Sequence, residues 1–171
     1  MIDIAKQAIR FFVLVILQAL VLNQLEIGFS IQFMVTPIFF MLLPFQTSTI
    51  VMMLLGFVMG FMIDSISNTF GLHASSLVFI AFIRPIIFKS FAPREGYDVV
   101  KMPSIYDMGT NWFVSVFGLI LFLHHLWFFT FEIFKFSDTL FILRKALVSL
   151  PFSFLISLLL QALFVSTSKN K

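Results

Sequence analysis

Apolar runs and the polar breaks between them divide the chain into six segments, spanning residues 8–22, 33–45, 50–64, 72–88, 112–134 and 141–165. With about 20 residues needed per crossing, the chain length allows roughly six membrane spans joined by short loops. The first, Ala8 to Leu22, follows Lys6 and Arg10 and has the outline of a secretory signal. No small-x-small cleavage site stands between Asn23 and Glu26, so a retained helix is expected. The second run, Phe33 to Phe45, is the shortest, about 20 Å if fully helical, and it carries Pro37 and Pro44. Proline removes a donor and clashes with the preceding turn, so this segment is expected to be kinked, or only partly helical where protein shields it. Asp64 to Gly71 is rich in Ser, Asn, Thr and Gly and reads as a tight hairpin. The stretch from Lys89 to Asn111 contains Pro93, Gly96, Pro103 and Gly109, and is the loop large enough for a docking surface.

Composition turns this pattern into a solvent assignment. Of 171 residues, 60% are hydrophobic and 11% charged, with a mean hydropathy of +1.07. A soluble fold of this size could not bury so much apolar surface, so lipid is the expected solvent. The expected fold class is an all-α integral membrane protein, one transmembrane domain of about six helices over residues 1–171. Without cysteine, disulfides, thiolate metal sites and cysteine nucleophiles are excluded. No basic patch dense enough for nucleic acid stands outside the spans.

Charge placement orients the chain. With the N-terminus inside, Lys6, Arg10, Lys89, Arg94, Lys101, Lys169 and Lys171 fall on the inner side, against Lys135, Arg144 and Lys145 outside. Cytoplasmic loops retain Lys and Arg, so both termini are expected in the cytoplasm. Trp112 and Trp127 then fall near the inner and outer interfaces.

Several constellations interrupt the apolar spans. Gly56, Gly60 and Asp64 recur every fourth residue on one ridge; glycines at this spacing let a second helix approach closely, whether from this chain or a partner. Asp64, near the outer headgroups, is expected to contact a partner, to cap the short turn Ser65 to Asn68, or to pair with a cation. His73 and Arg84 share a face about 16 Å apart. Arg84 precedes Pro85, where its head can snorkel to the interface or satisfy carbonyls the proline frees. His125 and Glu132 share a face about 10 Å apart, too far to chelate one metal. Neutral, hydrogen-bonded imidazoles or interfacial contacts are the expectation for His124 and His125, with a metal as the other reading. Lys145, Ser149, Ser153, Ser157 and Gln161 form a slanted polar ridge whose hydroxyls are expected to bond neighbouring helices. No HExxH, GxSxG or phosphate-cradling loop occurs, and no acid, base and nucleophile can be nominated together. No catalytic residue, cofactor or metal is therefore expected.

The stretch from Leu54 to Pro85, LLGFVMGFMIDSISNTFGLHASSLVFIAFIRP, resembles the central segment of the MreD family of rod shape-determining proteins. The match rests on GFVMGFMID, a Ser/Asn/Thr turn, and GLHASS entering the next helix, in the family's order. The proline-bearing second segment and the span count are also similar. The resemblance implies a non-enzymatic subunit of the elongasome in the bacterial cytoplasmic membrane. Such a subunit binds the bitopic protein MreC and helps couple MreB filaments to RodA and its penicillin-binding transpeptidase in peptidoglycan synthesis and cell shape. Residue by residue it transfers to Gly56, Gly60, Asp64, Gly71 and Ala74 to Ser76. His73, Arg84 and Glu132 join these as helix-packing or partner-binding candidates read from the sequence alone. MreD proteins also resemble in fold the substrate-binding subunits of vitamin transporters, so a small-molecule uptake subunit is the alternative. The Ala-x-x-x-Ala docking pair of those subunits is missing, since Ala5 and Ala8 are three apart.

Overall fold

The computed structural model describes residues 4–25, 31–98 and 100–164. Val165, the tail lysines 169 and 171, and Glu26, each part of an expectation above, lie outside them. Seven α-helices are described: α1 Ile4–Ile16, α2 Pro37–Met41, α3 Thr49–Ser67, α4 Leu72–Ser90, α5 Ile105–Met108, α6 Thr110–Ile133 and α7 Thr139–Phe164. A π-turn over Leu17–Val21 and a 3-10 turn over Leu22–Gln24 prolong α1. Counting that extension, five helices are long and apolar enough to cross a bilayer. This is a multi-pass helical membrane protein in which the expected first, third, fourth, fifth and sixth spans are each a long helix.

The expected second segment is only partly helical, so the expected count of about six transmembrane helices is corrected to five long ones among the described residues. Residues 31–35 are not helical, and α2 is only five residues long. Pro37 starts α2 with a preset φ and no unpaired donor, while Pro44 keeps the chain from continuing as a helix beyond Leu42. The segment nevertheless runs the length of the bundle. Asn23, closing α1, donates to Ser67 at the end of α3, so α1 and α3 end together, and residues 31–48 must return from that end to Thr49. Phe45 duly stacks on Tyr97 and meets Phe88 and Trp112 at the opposite end.

Directions of the remaining helices follow from similar ties. A four-residue turn joins α3 to α4; Asn68 and Gly71 lie at φ 54° and 89°, a left-handed geometry that glycine adopts without strain. Trp112 Nε1 donates to Phe91 O, bringing the start of α6 to the end of α4. Arg10 donates to Phe164 O, so α7 finishes beside the start of α1. Both ends of the described chain therefore share one end of the bundle. The core runs along α1, α2, α3, α4 and α6, while Phe57, Phe61, Phe82, Ile86, Leu155 and Leu159 point outward. Lipid is the solvent that tolerates such a surface.

Candidate functional site

The α3–α4 joint comes first, because glycine permits it. A Cβ on Gly60 would lie 2.3 Å from the Ala74 backbone, and one on Gly56 would lie 3.0 Å from Leu77 C and O. The close approach prepared by the glycine ridge is thus made to α4 of the same chain. It brings Asp64, one turn further along, against the first turn of α4, where backbone N–H groups lack helical acceptors. Asp64 Oδ2 accepts from Ala74 N–H at 2.9 Å. Its Oδ1 accepts from Thr69 Oγ1, His73 N–H and His73 Nδ1 at 2.5, 3.1 and 2.9 Å. The carboxylate caps α4 and holds the His73 ring; the cation it meets is His73 if that ring is charged. With Nδ1 as donor, Nε2 of a neutral ring remains an acceptor, and its neighbour is Asn23 Nδ2 at 3.5 Å.

Above this joint opens a cleft of about 710 Å³ with Asn23, Ser67 and His73 on one wall and Gln32, Glu132 and Lys145 on the other. Phe33 and Phe128 line it as well, and Phe128 meets the His73 ring edge at a centroid distance of 4.9 Å. Glu132 accepts from Gln32 Nε2 through Oε1 at 2.9 Å and from Lys145 Nζ through Oε2 at 2.6 Å. Lys145 Nζ also stands 4.4 Å from the centre of the Phe129 ring. Glu132 and His73 are thereby brought to one cavity, although 59 positions separate them in the sequence.

The non-helical segment is held from the side by polar groups of the helices. Gln18, aimed inward by the π-turn, donates to Phe33 O at 2.8 Å and accepts from Val35 N–H at 2.9 Å. Ser149 and Ser153 accept from the Gln32 and Met34 N–H groups at 3.1 and 3.0 Å. From Ser149 to Gln161 the ridge on α7 is buried, but the partners of these two hydroxyls include backbone that has no helix to satisfy it, and Ser157 Oγ has no hydrogen-bond partner among the described residues. Arg84 follows the second of its two readings, satisfying carbonyls, but they are those of the return segment and not those that Pro85 frees. It is 1% exposed and does not snorkel; it donates to Leu43 O and Pro44 O in the return segment and stacks 4.2 Å from the Phe88 ring centre. Arg84 is remote from the cleft, at the end that holds Phe45.

His125 donates from Nδ1 to Leu121 O at 2.7 Å, and Nε2 lies 3.1 Å from Ser153 Oγ, consistent with a neutral imidazole. His124 is fully buried, and neither ring nitrogen has a hydrogen-bond partner among the described residues. Among those residues no three His, Cys, Asp or Glu side chains cluster closely enough to hold a metal. Gln18 and Gln32 escaped sequence reasoning, since a single amide in an apolar run has no periodicity to mark it. No protein-family model matches the chain, and no curated protein or solved structure matches it.

Proposed function

We propose that this chain is a non-enzymatic subunit of the bacterial cell-wall elongation complex, a scaffold of the MreD type that binds MreC. Through MreC it would help couple MreB filaments to RodA and its penicillin-binding transpeptidase, in the cytoplasmic membrane with both termini inside. One observation carries the reading. The residues of the MreD-like segment, Gly56, Gly60, Asp64, Gly71 and Ala74, are not scattered along two helices but build a single joint. A segment whose pattern has one physical purpose is better grounds for kinship than an apolar string, which arises easily from composition alone. The sixth crossing belongs to the same reading, with residues 31–48 serving as a span that is mostly not helical.

The test is affinity capture. The tagged full chain, co-expressed with MreC in a rod-shaped bacterium and solubilised in mild detergent, should retain MreC, and its depletion should round the cells. Failure to retain MreC, together with vitamin accumulation by vesicles holding the chain and an energising module, would replace this proposal with the uptake reading.

A further inference from the structure

The cleft between Asn23 and Lys145 is unexplained by scaffolding, since the α3–α4 joint is complete beneath it. We propose that it binds a small zwitterion, a molecule carrying one ammonium and one anionic oxygen group, carboxylate or phosphate, beside an apolar body.

Size admits such a ligand: about 710 Å³ lies within the range of small-molecule sites. Charge narrows the class. Among the described residues the formally charged side chains lining the cleft are Glu132 and Lys145, paired at 2.6 Å, and the carboxylate of Asp64 is covered by His73, Thr69 and the N-terminus of α4. A singly charged ligand can meet only one member of this pair, whereas a zwitterion meets both. Bonding capacity is left for it. A carboxylate has about four acceptor positions, of which Glu132 commits one oxygen to Gln32 and the other to Lys145. An ammonium has three donors, and the hydrogen bond from Lys145 goes to Glu132. The ligand ammonium is then taken by Glu132 and its anionic group by Lys145.

The opposite wall supplies an independent sign. His73 is 2% exposed and its ring is fixed by Asp64, yet the contact of Nε2 with Asn23 is 3.5 Å long, beyond good hydrogen-bond distance. With Nδ1 turned to Asp64, Nε2 of a neutral ring is a buried acceptor lining the cavity, suited to a second N–H of the ligand ammonium. Phe33 and Phe128, with Leu22 and Leu72, supply the apolar surface for the body.

Two sources share this chemistry, a free apolar amino acid and the headgroup of phosphatidylethanolamine. They separate in nanodiscs made of phosphatidylglycerol alone, using the purified full chain and reading thermal unfolding together with native mass spectrometry. Addition of L-phenylalanine, or inclusion of phosphatidylethanolamine, should raise the unfolding temperature and give a bound mass. Phenylalaninamide and N-acetylphenylalanine, each lacking one charge of the pair, should do neither. Glu132→Gln and Lys145→Met should each weaken the response about tenfold or more. Leu25→Trp at the mouth, where Leu25 is 46% exposed, should block binding while the unliganded unfolding temperature stays put, and it decides the matter if the charge variants fold poorly. The proposal is overturned if neither zwitterion acts on the wild-type chain, if the singly charged analogues act equally, or if the response survives in Leu25→Trp.

Discussion

Gly60 and Gly56 both face the backbone of α4 but differ in how closely an added methyl group would approach it. At Gly60 it meets backbone atoms of α4 at 2.3 Å, which cannot swing aside as a side chain can; at Gly56 the nearest atoms are at 3.0 Å. Gly60→Ala must therefore part the helices, at a cost of about 1–3 kcal/mol or more, and should lower the unfolding temperature in detergent well below that of Gly56→Ala. Equal temperatures for the two variants would show that the helices are not so close. Asp64 carries a second residue-scale expectation. Asp64→Asn keeps one acceptor oxygen of two, whereas Asp64→Ala strips the cap from His73 and Ala74, so alanine should cost about 1–2 kcal/mol more than asparagine. If Asp64 served only to contact MreC, both variants would keep the wild-type unfolding temperature and lose only capture. The glycines and the aspartate were legible because their spacing matches the helix period, which makes a shared face computable from the sequence. Gln18 was not, since its partners Phe33 and Val35 are reached through a turn and a change of backbone conformation.

At the scale of elements, the return segment is where pattern and structure part. Its composition is that of a short span, and its prolines announced partial helicity, but nothing local reveals how a non-helical backbone survives among lipid-solvated helices. The answer is distributed over α1, α4 and α7: Gln18, Arg84, Ser149 and Ser153 satisfy backbone groups that no helix satisfies. This makes Ser149 and Ser153 of α7 and the buried Arg84 parts of one device, which explains why these costly groups sit in apolar helices. Gln18→Leu should orphan the Val35 amide and the Phe33 carbonyl at about 1–3 kcal/mol for each group. Hydrogen exchange of the Met34 and Val35 amides should accelerate while exchange within α6 stays slow. Ser153→Ala should accelerate Met34 more than Val35, because Ser153 accepts from Met34 and Gln18 from Val35. Uniform acceleration across the bundle in both variants would mean that the segment is not held as a separate unit.

For the whole molecule, the contacts pair the start of α1 with the finish of α7 and separate both from the end that carries Asn23, Glu132 and Lys145. The relation between the ends is geometry; which end faces the cytoplasm is a matter of charge. Among the described residues Lys6, Arg10, Lys89, Arg94 and Lys101 belong to the terminal end, and Lys135, Arg144 and Lys145 to the other. Three of the first group lie in the loop and helix end between α4 and α6, a short connection of the kind that the positive-inside rule counts most heavily. The chain contains no cysteine, so single cysteines can be introduced one at a time and each will report alone. Glu95→Cys and Lys101→Cys should be shielded in intact cells from a membrane-impermeant maleimide and labelled after permeabilisation. Ser137→Cys, exposed in the turn between α6 and α7, should be labelled in intact cells. Because the return segment carries the chain across without a long helix, a cysteine at Gln46 should follow the pattern of residue 95 and not that of residue 137. Labelling of Gln46→Cys in intact cells would leave α1 and α3 antiparallel, against the bond from Asn23 to Ser67 on which the arrangement of the whole bundle rests.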